Sequence, residues 1–418
     1  MKRAKTTVKT LLIAGLSLGL ASGMTSCKKG CTDSTATNYE EKAKKDDGTC
    51  EFKSTVVTPG EENTTLSGEI TEDRTLKTGN TYTLKGGVHV KAGASLIIEK
   101  GVTVEGDATE SVPYILIEQG ATIMAEGTAD EPIILTATQK ERGAWGGLIV
   151  CGKAPVNSGE RTAEVGDVQY GGSVAGDNSG IIKYVRIEYS GNVINSEKEH
   201  NGLSLNGVGS GTTVEYVEVY QGKDDGFEFF GGTVNAKYLV SIGSFDDSFD
   251  WTYGWSGKGE YWYAEQSSDG GDRGIEGDND SKNNANDPYS NPTLENITLI
   301  GRSADGKDGL KLREGTKANI SNILISGFDD AVDIQHNQTF TNVGNGSIKV
   351  TGITATGAKN EIKYSTMNKD DYSGSDWTAD STSEANLVAA AQASNNVTVS
   401  PNSTGAGTSW MTGAWIKK

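Results

Sequence analysis

From Leu66 onward the apolar residues fall in short bursts separated by Gly, Asn and Asp turns. Tyr82-Thr83-Leu84, Val88-His89-Val90, Leu96-Ile97-Ile98, Val102-Thr103-Val104 and Tyr114-Ile115-Leu116-Ile117 are typical. Such bursts are rich in β-branched side chains and too short to give a helix a continuous apolar stripe. Many short strands joined by tight corners predict a stack of coils, each burying its apolar side against its neighbours.

The repeat is legible in the chain. Asn201-Gly202-Leu203-Ser204-Leu205 recurs as Asp225-Gly226-Phe227-Glu228-Phe229 after 24 residues, and as Asp247-Ser248-Phe249-Asp250-Trp251 after a further 22. Asp308-Gly309-Leu310-Lys311-Leu312 follows after a gap of 61, and Asp330-Ala331-Val332-Asp333-Ile334 after another 22. A second strand class keeps step at residues 182–187, 214–219, 236–240, 294–299 and 320–325. Alternation within it turns one apolar set inward and sends Lys, Glu and Arg outward. A period of about 22 residues suits a three-sided coil. The expectation is an all-β fold, a right-handed parallel β-helix (a pectate-lyase-like β-solenoid), over residues 65–365. The gap of 61 holds either one coil and a long insertion or two coils and a shorter one, with the insertion placed near 264–292. Residues 366–418 break the period and read as a C-terminal cap.

Composition narrows the picture. Glycine supplies 55 of 418 residues without the three-residue period of collagen. Lys2, Arg3, Lys5 and Lys9 precede an apolar run over 11–20, too short to cross a bilayer comfortably, so residues 1–26 read as a signal peptide. Residues 21–27 resemble a bacterial lipoprotein signal, which implies cleavage before Cys27 and acylation of its thiol, with palmitate among the chains. The chain has 38 basic and 56 acidic residues; removing the four basic residues of the leader leaves a net charge of −22. That argues against a nucleic-acid partner, which needs clustered Lys and Arg. Divalent cations and neutral glycans remain compatible. No later apolar run reaches membrane-spanning length, so the lipid bilayer is met only through the acyl anchor. The expected address is the outer membrane, with the periplasmic and surface leaflets both open.

With Cys27 acylated, Cys31 and Cys50 can pair in an oxidising compartment, and Cys151 stays free. Cys151 sits in an apolar run without a neighbouring His and reads as a buried structural thiol. Residues 27–50, with Gly30-Cys31-Thr32-Asp33 and Asp46-Asp47-Gly48-Thr49-Cys50, resemble a short disulfide module common in secreted Bacteroidota proteins. Asp33, Asp46 and Asp47 in it suit either calcium or a plain turn. Residues 51–64 are polar and read as a linker.

The runs Gly207-Val208-Gly209-Ser210-Gly211-Thr212-Thr213-Val214, Asp224-Asp225-Gly226-Phe227-Glu228-Phe229-Phe230-Gly231-Gly232 and Asp246-Asp247-Ser248-Phe249-Asp250, with Gly271-Asp272-Arg273-Gly274, carry a wider resemblance. They are similar to a large family of Bacteroidota outer-membrane lipoproteins and secreted proteins, often misnamed multidrug transporters. The resemblance spans about residues 65–365. It implies a right-handed parallel β-helix and no established reaction.

Asp224-Asp225 and Asp246-Asp247 fall one coil apart, about 4.8 Å in a parallel stack. Four carboxylates so close repel one another. Calcium would relieve the repulsion, acid catalysis would exploit it, and turn capping would explain the acids without any ligand. Asp225, Asp247 and Arg273 are the catalytic candidates. Trp251, Tyr253, Trp255 and Trp262 crowd the next stretch and, beside the acids, suggest a sugar-stacking face. The three His residues fit no zinc spacing. The expected role is an envelope lipoprotein that is a binding or structural module rather than an enzyme, with a glycan or an outer-membrane protein as partner. The alternative is a polysaccharide lyase or glycoside hydrolase using the Asp225/Asp247 face.

Overall fold

The computed structural model describes residues 28–417, apart from 33–35, 37, 41, 46–48, 50–63, 110, 158, 194–197, 303–306 and 367–380. Cys27, Cys50, Asp33, Asp46 and Asp47 lie outside the described residues, and with them the lipid anchor, the bridge and the first calcium set. Cys151 is a buried free thiol, and burial pushes its pKa up.

The body is a right-handed parallel β-helix of three faces. One face is a ladder of short strands: Tyr114–Ile117, Leu148–Cys151, Leu203–Asn206, Phe227–Phe230, Phe249–Thr252, Ile275–Gly277, Asp308–Leu312, Asp330–Gln335 and Lys363–Ser365. Inward positions stack in register, so Leu203, Phe227, Phe249, Ile275, Leu310 and Val332 form one continuous apolar column.

The other two faces share longer strands, among them Gly180–Glu188, Thr213–Tyr220, Asn235–Ile242, Lys258–Glu265, Thr293–Ile300 and Ala318–Ser326. The pairing skips one residue in each, as Lys183 pairs with Glu215 and Val185 with Val217. The skipped residues are Tyr184, Tyr216, Tyr238, Tyr261, Asn296 and Asn322, at φ values of 50, 54, 58, 58, 63 and 54. A left-handed residue bends the strand between two faces. For a residue with a side chain this costs about 1–2 kcal/mol. Stacking of the four tyrosines, at centroid separations of 4.5, 4.4 and 5.0 Å, offsets that cost. The simple alternation expected for this strand class therefore breaks at the tyrosine, which serves as a corner.

The gap of 61 residues contains a coil strand, Ile275–Gly277, paired to both neighbours. Two coils, not one, fill the gap, and the insertion expected over 264–292 is split by this strand. At the C-terminal end α1 (Asn337–Gly344) and α2 (Ser381–Ala393) pack together beside the last coils, covering strand edges that would otherwise be open.

The final residues do not continue that cap. They run back along the outside of the long-strand faces toward the N-terminal coils. Ser403 N donates to Thr354 Oγ1 at 3.0 Å, Ala406 N to Thr298 Oγ1 at 2.9 Å and Ala414 N to Ala129 O at 2.7 Å. Trp410 packs on Tyr238, and the buried Trp415 meets Tyr184 and Tyr216 edge-on. The expected end cap over 366–418 is thus a helical cap followed by a lateral strap.

Candidate active site on the outer face of the first ladder

Alternation along each ladder strand fixes what faces outward. In register these residues are Ser204, Glu228, Asp250, Glu276, Lys311 and Asp333. The turn before each strand supplies a second row. There Asp225 Oδ1 accepts the backbone N–H of Asp247 at 2.9 Å, and Asp247 Oδ1 accepts that of Arg273 at 2.8 Å. Turn capping is therefore real for both acids, each holding the coil that follows it. Asp247 Oδ2 in addition faces the Arg273 guanidinium, with Nη1 at 3.5 Å.

Charge balance divides the face. On the C-terminal side Arg273 Nη1 lies 3.5 Å from Asp247, 2.7 Å from Asp272 and 2.8 Å from Glu276. Arg313 holds Glu276 and Asp278, and Lys311 pairs with Asp333 and Asp308. On the N-terminal side Asp225, Glu228 and Asp250 each bring one oxygen within 4.8 Å of the others. Among the described residues no Lys or Arg forms an ion pair with any of these three. Asn201 donates to Glu228, while Oδ1 of Asp250 is buried without a hydrogen-bond partner.

Burial, and then repulsion from neighbouring acids, pushes Asp225, Glu228 and Asp250 well above the usual carboxylate range. The same causes push Asp224 up to about 9, where Glu199 is the chief neighbouring charge. Glu276 rises only to about 7: burial raises it, while Arg313 and Arg273 pull against that rise.

Two segments outside the coil wall the groove. From the stretch 152–178, Val156, Ala163, Val165 and Tyr170 pack on Leu116, Ile149, Cys151 and Phe230. The same stretch sends Arg161 across Tyr253, 3.5 Å from the ring centroid, to Asp280 at 3.1 Å. Asp280 belongs to the loop after Ile275–Gly277, so the two segments meet over one end of the acid row.

Four groups of three acids each gather oxygens within 4.8 Å: Asp224–Asp225–Asp246, Asp225–Glu228–Asp250, Asp246–Asp247–Asp272 and Asp247–Asp250–Glu276. All offer hard oxygen donors, which suit calcium. The second group fits best, because among the described residues it has no ion-pair partner, and it includes the unsatisfied Asp250 oxygen.

The sequence candidates separate clearly. Asp224, Asp225, Asp246, Asp247 and Arg273 all come together here. Trp251, Trp255 and Trp262 do not: each is 0% exposed, inside the coil. Their indole N–H groups donate to Thr316 Oγ1, Val234 O and Ala236 O at 3.0, 3.1 and 3.1 Å. Trp255 and Trp262 stack on Phe229 at 4.2 and 5.5 Å. They are core, which corrects their assignment as a sugar-stacking face. Tyr253 alone of that set reaches the groove's edge. His200 is buried against Tyr114, and burial pushes its pKa down to about 4.

Glu228, Asp250 and Glu276 were missed as site residues. A signal was present: Asp272-Arg273-Gly274-Ile275-Glu276 copies Asp224-Asp225-Gly226-Phe227-Glu228, with Arg in place of Asp.

A parallel β-helix with an acid-lined outer face defines a pectate-lyase-like protein. Residues 68–417 match the pectate-lyase like beta helix domain, and the chain belongs to that family. No curated protein and no solved structure matches it. Family and site together overturn the expectation of a module without catalytic activity. Clustered and largely buried carboxylates on the outer face of such a fold are what catalysis or cation binding uses, and turn capping alone does not require them.

Proposed function

We propose that this chain is a polysaccharide-cleaving enzyme whose acid and base are Asp250 and Glu276. Asp250 carries the reading: its carboxyl is partly exposed in the groove, has an unsatisfied oxygen and, among the described residues, has no ion-pair partner. An acid in that setting keeps its proton near neutral pH and can give it to a departing glycosidic oxygen. Glu276, its neighbour in the ladder, is bracketed by Arg273 and Arg313, which favour its charged form. Two adjacent carboxyls with separated proton affinities are the usual division between acid and base. Burial first, and then repulsion from Glu276, Asp278 and Asp247, keeps Asp250 protonated, and Asp247 fixes Arg273 through its backbone.

The Asp225–Glu228–Asp250 group also suits calcium, which when bound would supply a positive anchor for a sugar carboxylate. That donor set favours a second reading, a cation-dependent lyase on the same face.

Polygalacturonate and a panel of uncharged glycans, incubated with the wild type, D250N and E276Q, test both. The hydrolase reading expects new reducing ends, unaffected by chelation, and a loss of about 10²–10⁴-fold in turnover for either variant. Unsaturated products that require calcium would move the assignment to the lyase. No cleavage of any glycan would overturn both. The leader and Cys27 add that the enzyme is held at the outer membrane by a lipid; labelled palmitate should enter the wild type and not C27A.

A further inference from the structure

Phe245 stands outside the pattern of the molecule. Every other phenylalanine among the described residues is buried, yet Phe245 is 45% exposed. It occupies the turn that leads into the first ladder, one residue before Asp246, whose carboxylate gathers with Asp224 and Asp225 and again with Asp247 and Asp272. An exposed ring is therefore fixed to the rim of the acid groove.

The ring is also held in place. Gly270 packs so closely that a Cβ there would lie 2.0 Å from the ring. The Arg142 guanidinium sits 5.3 Å from the ring centroid. Arg142 is itself pinned, donating to Gly243 O at 3.1 Å, Ser267 Oγ at 2.9 Å and Asp269 Oδ2 at 2.8 Å. The hydrophobic column does not use this side chain, so core packing does not account for it.

A pyranose presents an apolar ring face and a hydroxylated edge. A rigid aromatic ring next to carboxylates meets both at once. We infer that Phe245 is a stacking platform for a sugar unit of the substrate chain, bound beside the cleaved linkage at the Asp246 end of the groove. The inference rests on the groove being a glycan site. It places the aromatic contribution on Phe245 and not on the buried tryptophans.

The test uses the full chain and whichever glycan of the polygalacturonate and uncharged panel the wild type cleaves. F245A should raise KM about tenfold, the scale of one aromatic hot spot, with kcat within about twofold. F245W should restore KM. In the inactive D250N background, adding F245A should weaken binding of the same glycan by a similar factor in calorimetry. An unchanged melting temperature shows that the ring is not a folding element. If the wild type cleaves glycan and F245A keeps its KM and affinity, the platform is overturned while the enzyme reading stands. If the wild type neither cleaves nor binds any glycan, both fall together.

Discussion

Asp250 and Trp251 are neighbours in the chain with opposite fates. Successive side chains in a strand point to opposite faces, so the carboxylate meets the groove and the indole meets the core. Mutation should separate the two. W251A is expected to cost about 3–5 kcal/mol of stability, read from the denaturant midpoint, with glycan affinity of the folded protein unchanged. D250N should do the reverse. It removes an acid that the fold disfavours in its charged form, so the melting temperature at pH 8 should rise while turnover falls. The repetition of Asp225 and Asp247 made those acids legible in the chain. The tryptophans misled because a local density of rings does not say which side of a strand they occupy.

At the scale of the element, the coil strand Ile275–Gly277 explains why the repeat was hard to follow. Its second inward position is Gly277, in register with Trp251 on one side and Leu312 on the other. A Cβ on Gly277 would lie 2.3 Å from the indole of Trp251. The large ring on one coil is accommodated by the missing side chain on the next. The same compensation erased the apolar rhythm that would have marked the coil. G277A should therefore destabilise by about 1–3 kcal/mol. A smaller ring should recover part of that loss, so the W251F/G277A double variant should be more stable than the two separate effects predict. A denaturation cycle on the four proteins measures it.

Across the whole molecule, the acid groove sets the response to pH. Acids whose pKa is raised on folding bind their protons more tightly in the folded state. Their contribution is complete below the unfolded carboxylate range, about 4, and fades as pH passes through the folded values. Those values reach about 7 for Glu276 and about 9 for Asp224. In chelator the melting temperature should fall steadily between about pH 5 and 9. Calcium should flatten that slope, and a slope that calcium leaves unchanged would show that the groove holds protons instead. The C-terminal strap acts at the same scale. Lys417 N donates to Glu218 Oε2 at 2.9 Å, and burial pushes Glu218 up to about 8. Removing residues 401–417 would uncover the tyrosine corners and open Glu218 to water. Differential scanning calorimetry should show a lower melting temperature, with a weaker pH dependence near 8.

The chain by itself determined the architecture, because coil strands and corners are local and repeat at a nearly constant spacing. Asp, Gly and an alternating apolar pair recur on each turn, and the Asp225/Asp247 row followed from counting that spacing. Tertiary structure alone decided the rest. Which acids lack a counter-charge depends on Arg273 and Arg313 arriving from coils 26 and 35 residues further along the ladder column. That the tryptophans are interior depends on the packing of Phe229 and Phe249 beneath them. The strap depends on contacts as distant as Lys417 with Glu188. Period and pattern are properties of neighbours along the chain, whereas charge balance and burial are sums over neighbours in space.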